Sequence, residues 1–392
     1  MSMRIVEEFL ELVKISSPTG GERVMADALT AKLRAMGLEV REDDAGKMTG
    51  GTAGNLYACL PATEGCEDAE PVLFSAHMDR VPDGDGIQPA FTGDGRIISD
   101  GTTILAADDL AGVCAILDGL RRVLESGRPH GLVEVLFTVS EEINLRGSRN
   151  ADYTKIRAKH GYCMDSSGRI GRVVTGAPAI DKLHITVHGK GAHAGVAPEK
   201  GIDAIRAAAG FLANVKAGRL DPESTSNFGI VRAGNATNVV CERAEITGEA
   251  RSHDLQKLET YEEYVTAFLQ QSMEGTGARA ELRIEKVHGA FRAEPEDSTV
   301  VKAEEALRCL GIVPVPEIGG GGMDANIMNE KGISVVGVAA GYMKNHTHQE
   351  ELYTDDLIKA GELTEQLIYG WAGSVSRERP EVFRTETESA GE

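Results

Sequence analysis

Three absences narrow the reading of this chain before any motif is considered. Basic residues are in deficit: 41 Lys and Arg against 61 Asp and Glu leave a net charge of −20 over 392 residues. A nucleic-acid binder presents a clustered basic surface, so this balance argues against that class. It suits a soluble molecule kept apart from its copies by self-repulsion. No apolar run approaches the ~20 residues of a membrane helix. Met1–Lys14 reads as an acidic amphipathic helix without the uninterrupted apolar core of a signal peptide. The six cysteines (Cys59, Cys66, Cys114, Cys163, Cys241 and Cys309) include no CxxC pair. They are expected as reduced core thiols of a cytoplasmic protein. Cys163 shares a strand face with Asp165 and so has ligand potential, but free cysteine more often serves as a small buried hydrophobe.

The chain is long enough for two domains. Apolar residues at helical spacing predict helices over 3–14 and 22–36, the second closed by Gly37. Pro71–Ala76 and Leu132–Val139 are apolar runs of buried-strand type, with shorter ones at His160–Met164 and Ser334–Ala340. Asp108 or Asp109 can cap a helix running to about Leu124. Strands alternating with helices predict an α/β fold with a mostly parallel sheet.

The middle has another rhythm. Lys182–His188 alternates with period two. A helix at 201–217, strands at 227–233 and 238–250, a helix at 255–272 and a strand at 279–287 follow. That β-α-β-β-α-β order is ferredoxin-like. The expected division is therefore 1–177 and 289–375 as one α/β domain and 178–288 as an insertion, with 376–392 a polar, disordered tail.

What is present in quantity is acid and histidine after strands. His77 and Asp79, Asp108 and Asp109, Glu141 and Glu142, Asp165, and His346 with His348 form five clusters. Each alone has a bland reading: a helix cap for the Asp108 pair, a solvated loop for the Glu141 pair. Open α/β sheets, however, bind ligands beyond the carboxyl ends of their strands. Three strands delivering such side chains to one edge, beside a helix start, is the pattern of a two-metal hydrolytic site.

The motifs also resemble a known family. Ser75–Asp79, Ala106–Gly112, Thr138–Glu142 and Met164–Asp165 look like the metal-site motifs of the zinc peptidases that include peptidase T, the aminoacylases and the glutamate-releasing carboxypeptidases. Gly189–Gly195 and Pro198–Ile205 resemble that family's lid signature. Gly319–Asp324 and His346–Glu350 resemble its C-terminal motifs. The similarity spans residues from about 3 to 372 and is nearest to the peptidase T-like branch.

The resemblance implies a catalytic domain with an inserted lid and dimerisation domain, hence a homodimer formed through the lid. It implies two zinc ions per chain, with cobalt or manganese as substitutes. Asp108 bridges them; His77 and Asp165 complete one, Glu142 and His346 the other. Asp79 orients His77, Glu141 is the general base, and Glu350 supports the site. The Asp108–Asp109 peptide is expected cis. His348 falls at a variable position and is expected at the surface or on the substrate side, and Asp324 as a helix cap. His193, Asn238, Arg251 and the glycine turn at Gly320 are expected to contact substrate. The family's tripeptidases carry an arginine just before two glycines and the aspartate. Gly320 takes that place here, which leaves Arg251 to supply the charge. The glycine turn lacks the Lys-Ser/Thr of a phosphate loop.

The activity implied is hydrolysis of amide bonds in small peptides by a metal-bound hydroxide, in the manner of an aminotripeptidase. Two alternatives remain open from the sequence: a deacylase of N-acyl amino acids, and a non-catalytic binding protein of the same fold.

Overall fold

The computed structural model describes residues 2–372. The tail expected to be disordered lies outside the described residues. The first part of the chain runs α1 (Ser2–Leu12), α2 (Arg23–Ala35), β1 (Glu39–Glu42), α3 (Ala45–Thr49), β2 (Leu56–Leu60), β3 (Val72–His77), β4 (Ala90–Phe91), β5 (Arg96–Ile98), α4 (Ala107–Ser126), β6 (Val133–Thr138), α5 (Arg146–Arg149), β7 (His160–Ser166) and β8 (Arg172–Ala177). The middle runs β9 (Ala179–His188), α6 (Ala204–Asn214), β10 (Gly218–Asp221), β11 (Ser224–Ala233), β12 (Arg243–Ser252), α7 (Leu255–Met273) and β13 (Arg279–His288). The last part runs β14 (Phe291–Arg292), α8 (Ser298–Cys309), β15 (Val315–Ile318), α9 (Asp324–Glu330), β16 (Ser334–Ala339), β17 (Tyr342–Met343), β18 (Glu351–Tyr353) and α10 (Thr354–Trp371).

The large sheet has the order β1-β2-β6-β3-β7-β16-β8-β14, with β15 joined to β8. Its centre, β6-β3-β7-β16, is parallel, and antiparallel strands flank it. The sequence of β3 shows why. All six residues of Val72–His77 are buried. Successive side chains point to opposite faces, so the apolar run feeds two cores at once. Val72, Phe74 and Ala76 join the core formed with α1, α4 and α10; Leu73 joins the other, with Leu136, Met323 and Met328. On the first side α4 lies against α10 at close range: a Cβ placed on Gly119 would sit 2.5 Å from the Thr364 side chain. A small separate sheet, β17-β18-β5-β4, was not foreseen; its strands are two or three residues long and carry no periodic signal.

The middle of the chain forms its own antiparallel sheet, β10-β11-β12-β9-β13. Leaving aside the short edge strand β10, this is the ferredoxin-like strand order. Helices α6 and α7 cover one face, where Phe211, Val265 and Leu269 pack on Leu183, Ile185 and Val187. Asp203 and Asp254 cap those helices through their side chains. The other face carries Lys182, Glu249 and Arg251, which line a cavity. Residues 238–242, expected as the start of a strand, are irregular apart from an isolated antiparallel bridge between Val239 and His193; the strand begins at Arg243. No helix among the described residues is long and apolar enough to cross a membrane.

Candidate metal and active site

The parallel centre of the large sheet brings its carboxyl ends to one edge, and the clusters meet there. His77 is the last residue of β3. Asp165 lies near the end of β7. Glu141 and Glu142 follow β6 on a turn, and Asp108 stands at the start of α4. His346 arrives on the loop between β17 and β18.

Three of these delivering turns hold non-glycine residues in the left-handed region: Ala106 (φ 55°), Ser140 (φ 51°) and His346 (φ 61°). Such geometry costs on the order of 1 kcal/mol or more per residue and persists where surroundings enforce it. Buried carboxylates do so at the first two. Glu350 accepts from the backbone N–H groups of Leu105, Ala106 and Asp108 at 2.8, 2.8 and 3.0 Å. Glu22 accepts from the Ser140 N–H and hydroxyl, both at 3.1 Å. The Asp108–Asp109 peptide is cis. Only one of that pair caps the helix: Asp109 accepts from Gly112 N at 3.2 Å, while Asp108 turns into the site.

Asp108 lies between two histidines. His77 Nε2 is 3.1 Å from its Oδ1 and His346 Nε2 is 3.2 Å from its Oδ2. His346 Nε2 is also 3.1 Å from Glu142, and His77 Nε2 is 3.9 Å from Asp165. Two overlapping groups have ligand atoms close enough to share a cation: His77, Asp108 and Glu142; and His77, Glu141 and Asp165. His77 is thus common to both groups, Asp108 belongs to the first, and Glu141 belongs to the second while also lining the open cavity; His346 is in neither.

The supporting contacts differ in detail from expectation. His77 Nδ1 faces the backbone oxygen of Asp79 at 3.0 Å, and the Asp79 carboxylate stands farther off at 3.6 Å. That carboxylate mainly holds the glutamate turn, accepting from Glu141 N at 2.9 Å, Glu142 N at 3.2 Å and the Thr19 hydroxyl at 2.8 Å. Tyr342 donates to Asp165 at 2.9 Å and Asn345 to Asp108 at 2.6 Å. Neither residue was singled out from the sequence; a tyrosine and an asparagine before His346 carry no distinctive spacing. Asp324 is the first helical residue of α9 and not its cap; its carboxylate accepts from the Thr138 hydroxyl at 2.5 Å and is otherwise enclosed. Cys163 is buried in apolar surroundings, and all six cysteines are free. His348 lies at the surface, 3.5 Å from Asp83.

Electrostatics test whether the residues fit cations. Burial pushes Glu141 well above the usual carboxylate range, and Asp165 adds to the effect. Burial and the neighbouring Asp108 push Asp165 up to about 8. Burial pushes His77 down, yet its hydrogen bond to Asp108 and the surrounding carboxylates raise its proton affinity well above normal. Hydrogen bonds to Asp108 and Glu142 raise His346 to about 10. Without cations, Glu141, Asp165, His77 and His346 thus all gain affinity for protons. Imidazole nitrogens and carboxylate oxygens are the donors that divalent metals take. The donor set therefore fits two cations in place of those protons.

The ligand cluster opens into a cavity of about 490 Å³. Its far wall belongs to the second sheet, through Lys182, Glu249 and Arg251, and to the glycine turn Gly319–Gly322. Arg251 and Gly320 both line this cavity, with the Arg251 guanidinium 3.4 Å from the Gly320 oxygen. Gly322 packs closely on His288: a Cβ there would meet the imidazole Nε2 at 2.3 Å and displace the ring. His193 and Asn238 are not brought to this cavity. They sit side by side, exposed, with Ala194 N bonded to Asn238 O at 2.9 Å.

Residues 55–172 match the model of peptidase family M28, and residues 175–277 match that of a peptidase dimerisation domain. The uncharacterized protein YqjE of Bacillus subtilis is 37% identical over 365 residues, covering 93% of this chain and 97% of its own length. Among solved structures, the aminopeptidase PepT of Bacillus cereus is 39% identical with a TM-score of 0.86, covering 95% of this chain and 99% of that one. A tripeptidase of Staphylococcus aureus is 34% identical with a TM-score of 0.90 over the same shares of the two chains. This chain belongs to the peptidase T-like metallopeptidase family.

Proposed function

We propose that the enzyme is a two-metal exopeptidase that cleaves the first amide bond of short peptides, tripeptides among them. The observation that carries this is Asp108, buried and placed within 3.2 Å of both His77 and His346, where one carboxylate can serve two cations. In this reading His77 and Asp165 serve one cation, and Glu142 and His346 the other. Zinc is the metal we assign, on the mixed nitrogen and oxygen donor set. When bound, two such ions polarise a substrate carbonyl and lower the pKa of water.

The chain's own residues do the rest. Glu141 accepts a proton from the attacking water and returns it to the departing amine nitrogen. Its position supports this: 8% exposed, beside the ligand cluster and on the cavity wall. Asp79 fixes the Glu141 and Glu142 backbone, so the base and a ligand keep one relative placement. Arg251 and the Gly320 turn hold the substrate's terminal carboxylate at the other end, since a guanidinium suits a carboxylate. The cavity volume is in the range of small-ligand sites.

His193 and Asn238 face solvent on the second sheet's unit, away from this chain's own cavity. We assign them to the cavity of a second copy, in a homodimer formed through that unit.

Glu141→Gln is expected to lower kcat by about a thousandfold, within the range for losing a general base, while leaving metal content intact. Activity near that of the parent would remove Glu141 from this role. A panel of free-amine tripeptides and N-acetyl amino acids should show turnover of the former; turnover confined to the latter would make the enzyme a deacylase.

A further inference from the structure

The cavity wall opposite the metal ligands carries an internal ion cluster. Lys182 on β9 and Glu249 on β12 are direct cross-strand partners. Arg251 lies two residues beyond Glu249, on the same face of β12. Lys182 Nζ donates to Glu249 Oε2 at 2.8 Å. Arg251 Nε donates to Glu249 Oε1 at 2.8 Å, with Nη2 at 2.7 Å from the same oxygen. Both carboxylate oxygens are therefore taken, one by each cation. The side chains are 28%, 23% and 31% exposed, so the cluster is shielded yet open to the cavity.

The charge count is simple. Two cations and one anion leave one unit of positive charge. His288, on the same wall, adds none near neutral pH, because burial lowers its proton affinity. Arg172, also on the wall, is paired with Glu317. Arg251 keeps one amino group uncommitted apart from the long 3.4 Å contact to Gly320 O.

We infer that Glu249 is a specificity-determining residue: by bridging Lys182 and Arg251 it leaves a site for one substrate carboxylate and rejects a second. This rests on the peptidase reading above and deepens it. A peptide with a neutral C-terminal residue presents one carboxylate and fits. A peptide ending in Asp or Glu presents a second, which must face Glu249 or displace it from its cations; like charges juxtaposed at an interface are disfavoured. Lys182 contributes the second cation, and it holds Glu249 aside from Arg251's free edge.

The test compares Ala-Gly-Gly with Ala-Gly-Glu on the metal-loaded enzyme and on Glu249→Gln. The parent is expected to prefer Ala-Gly-Gly by roughly tenfold or more in kcat/KM, and Glu249→Gln to shift that ratio toward Ala-Gly-Glu by about tenfold, one decade being about 1.4 kcal/mol. The shift should lie in KM, with the two kcat values moving together. Lys182→Met should raise KM for both peptides. A ratio unchanged within about twofold, or a change confined to kcat, would overturn the inference. Calorimetric binding of N-acetyl-Gly-Gly and N-acetyl-Gly-Glu to the same proteins separates the two layers of argument. If the parent cleaves neither tripeptide, the peptidase reading fails, but the ratio of the two dissociation constants still decides the role of Glu249. Binding of neither ligand would overturn the inference as well.

Discussion

Two charged regions face each other across one cavity, and they are built on opposite plans. At the carboxyl ends of the large sheet, His77, Asp108 and Glu141 are 1%, 7% and 8% exposed, and the acids outnumber the bases. On the second sheet, Lys182, Glu249 and Arg251 are about a quarter exposed and each charge has a partner from the same sheet. Burying like charges is costly unless something neutralises them. The first region is therefore short of positive charge as a chain and calls for cations from outside; the second keeps a surplus of one positive charge, shared over Lys182 and Arg251. That asymmetry distinguishes a metal centre from a recognition surface more clearly than residue type does, since both use acids beside bases.

The contrast can be broken in three places besides the tests above. The largest effect should come from His193, which belongs to the second sheet's unit but has no place in this chain's own cavity. His193→Ala is expected to cost about a hundredfold in kcat, the scale of losing one oxyanion donor. Mixing it with inactive Glu141→Gln chains should restore about a quarter of parental activity, because random pairing gives half mixed dimers with one intact site each. No recovery would keep His193 out of a shared site.

Metal removal should come next. Chelation is expected to lower the melting temperature, since ions at a thousandfold excess over Kd contribute about 4 kcal/mol. A melting temperature unmoved by chelator and by added zinc would remove the first region's need for cations.

The smallest effect concerns a carboxyl pair behind the second sheet. Burial, with the adjacent Asp181, pushes Glu262 from 4.5 up to about 8. The folded chain therefore holds a proton there that the unfolded chain has released, and this group's contribution to stability falls as pH rises through that window. Glu262→Gln should flatten the decline of melting temperature between about pH 5 and about pH 8. A steeper decline in the variant would reverse the sign of this argument.

The parts legible in the sequence were those with strong local causes. Apolar runs such as Val72–His77 announce strands buried on both faces, and the alternation at Lys182–His188 announces one with an open face. The meeting of His77, Glu141, Glu142 and Asp165 at one edge was legible because each lies near or just beyond the end of a buried strand. What escaped was set by tertiary geometry. Tyr342 and Asn345 become site residues only through where their loop lands. Lys182 meets Glu249, 67 positions further along the chain, through a strand register that the sequence conceals. The family resemblance assigns the Asp79 carboxylate to His77, yet it mainly serves the glutamate turn 62 residues on. Asp324 resembled a helix cap, and its burial against Thr138 gave it another partner.

The measurement that bears most directly on the two-metal centre is the metal-to-chain ratio after zinc reconstitution and gel filtration, by plasma mass spectrometry. The account expects about two ions per chain in the parent and in Glu141→Gln, as a paired site requires, and loss of both in Asp108→Ala. One ion or none in the folded parent, or an undiminished ratio in Asp108→Ala, would contradict it.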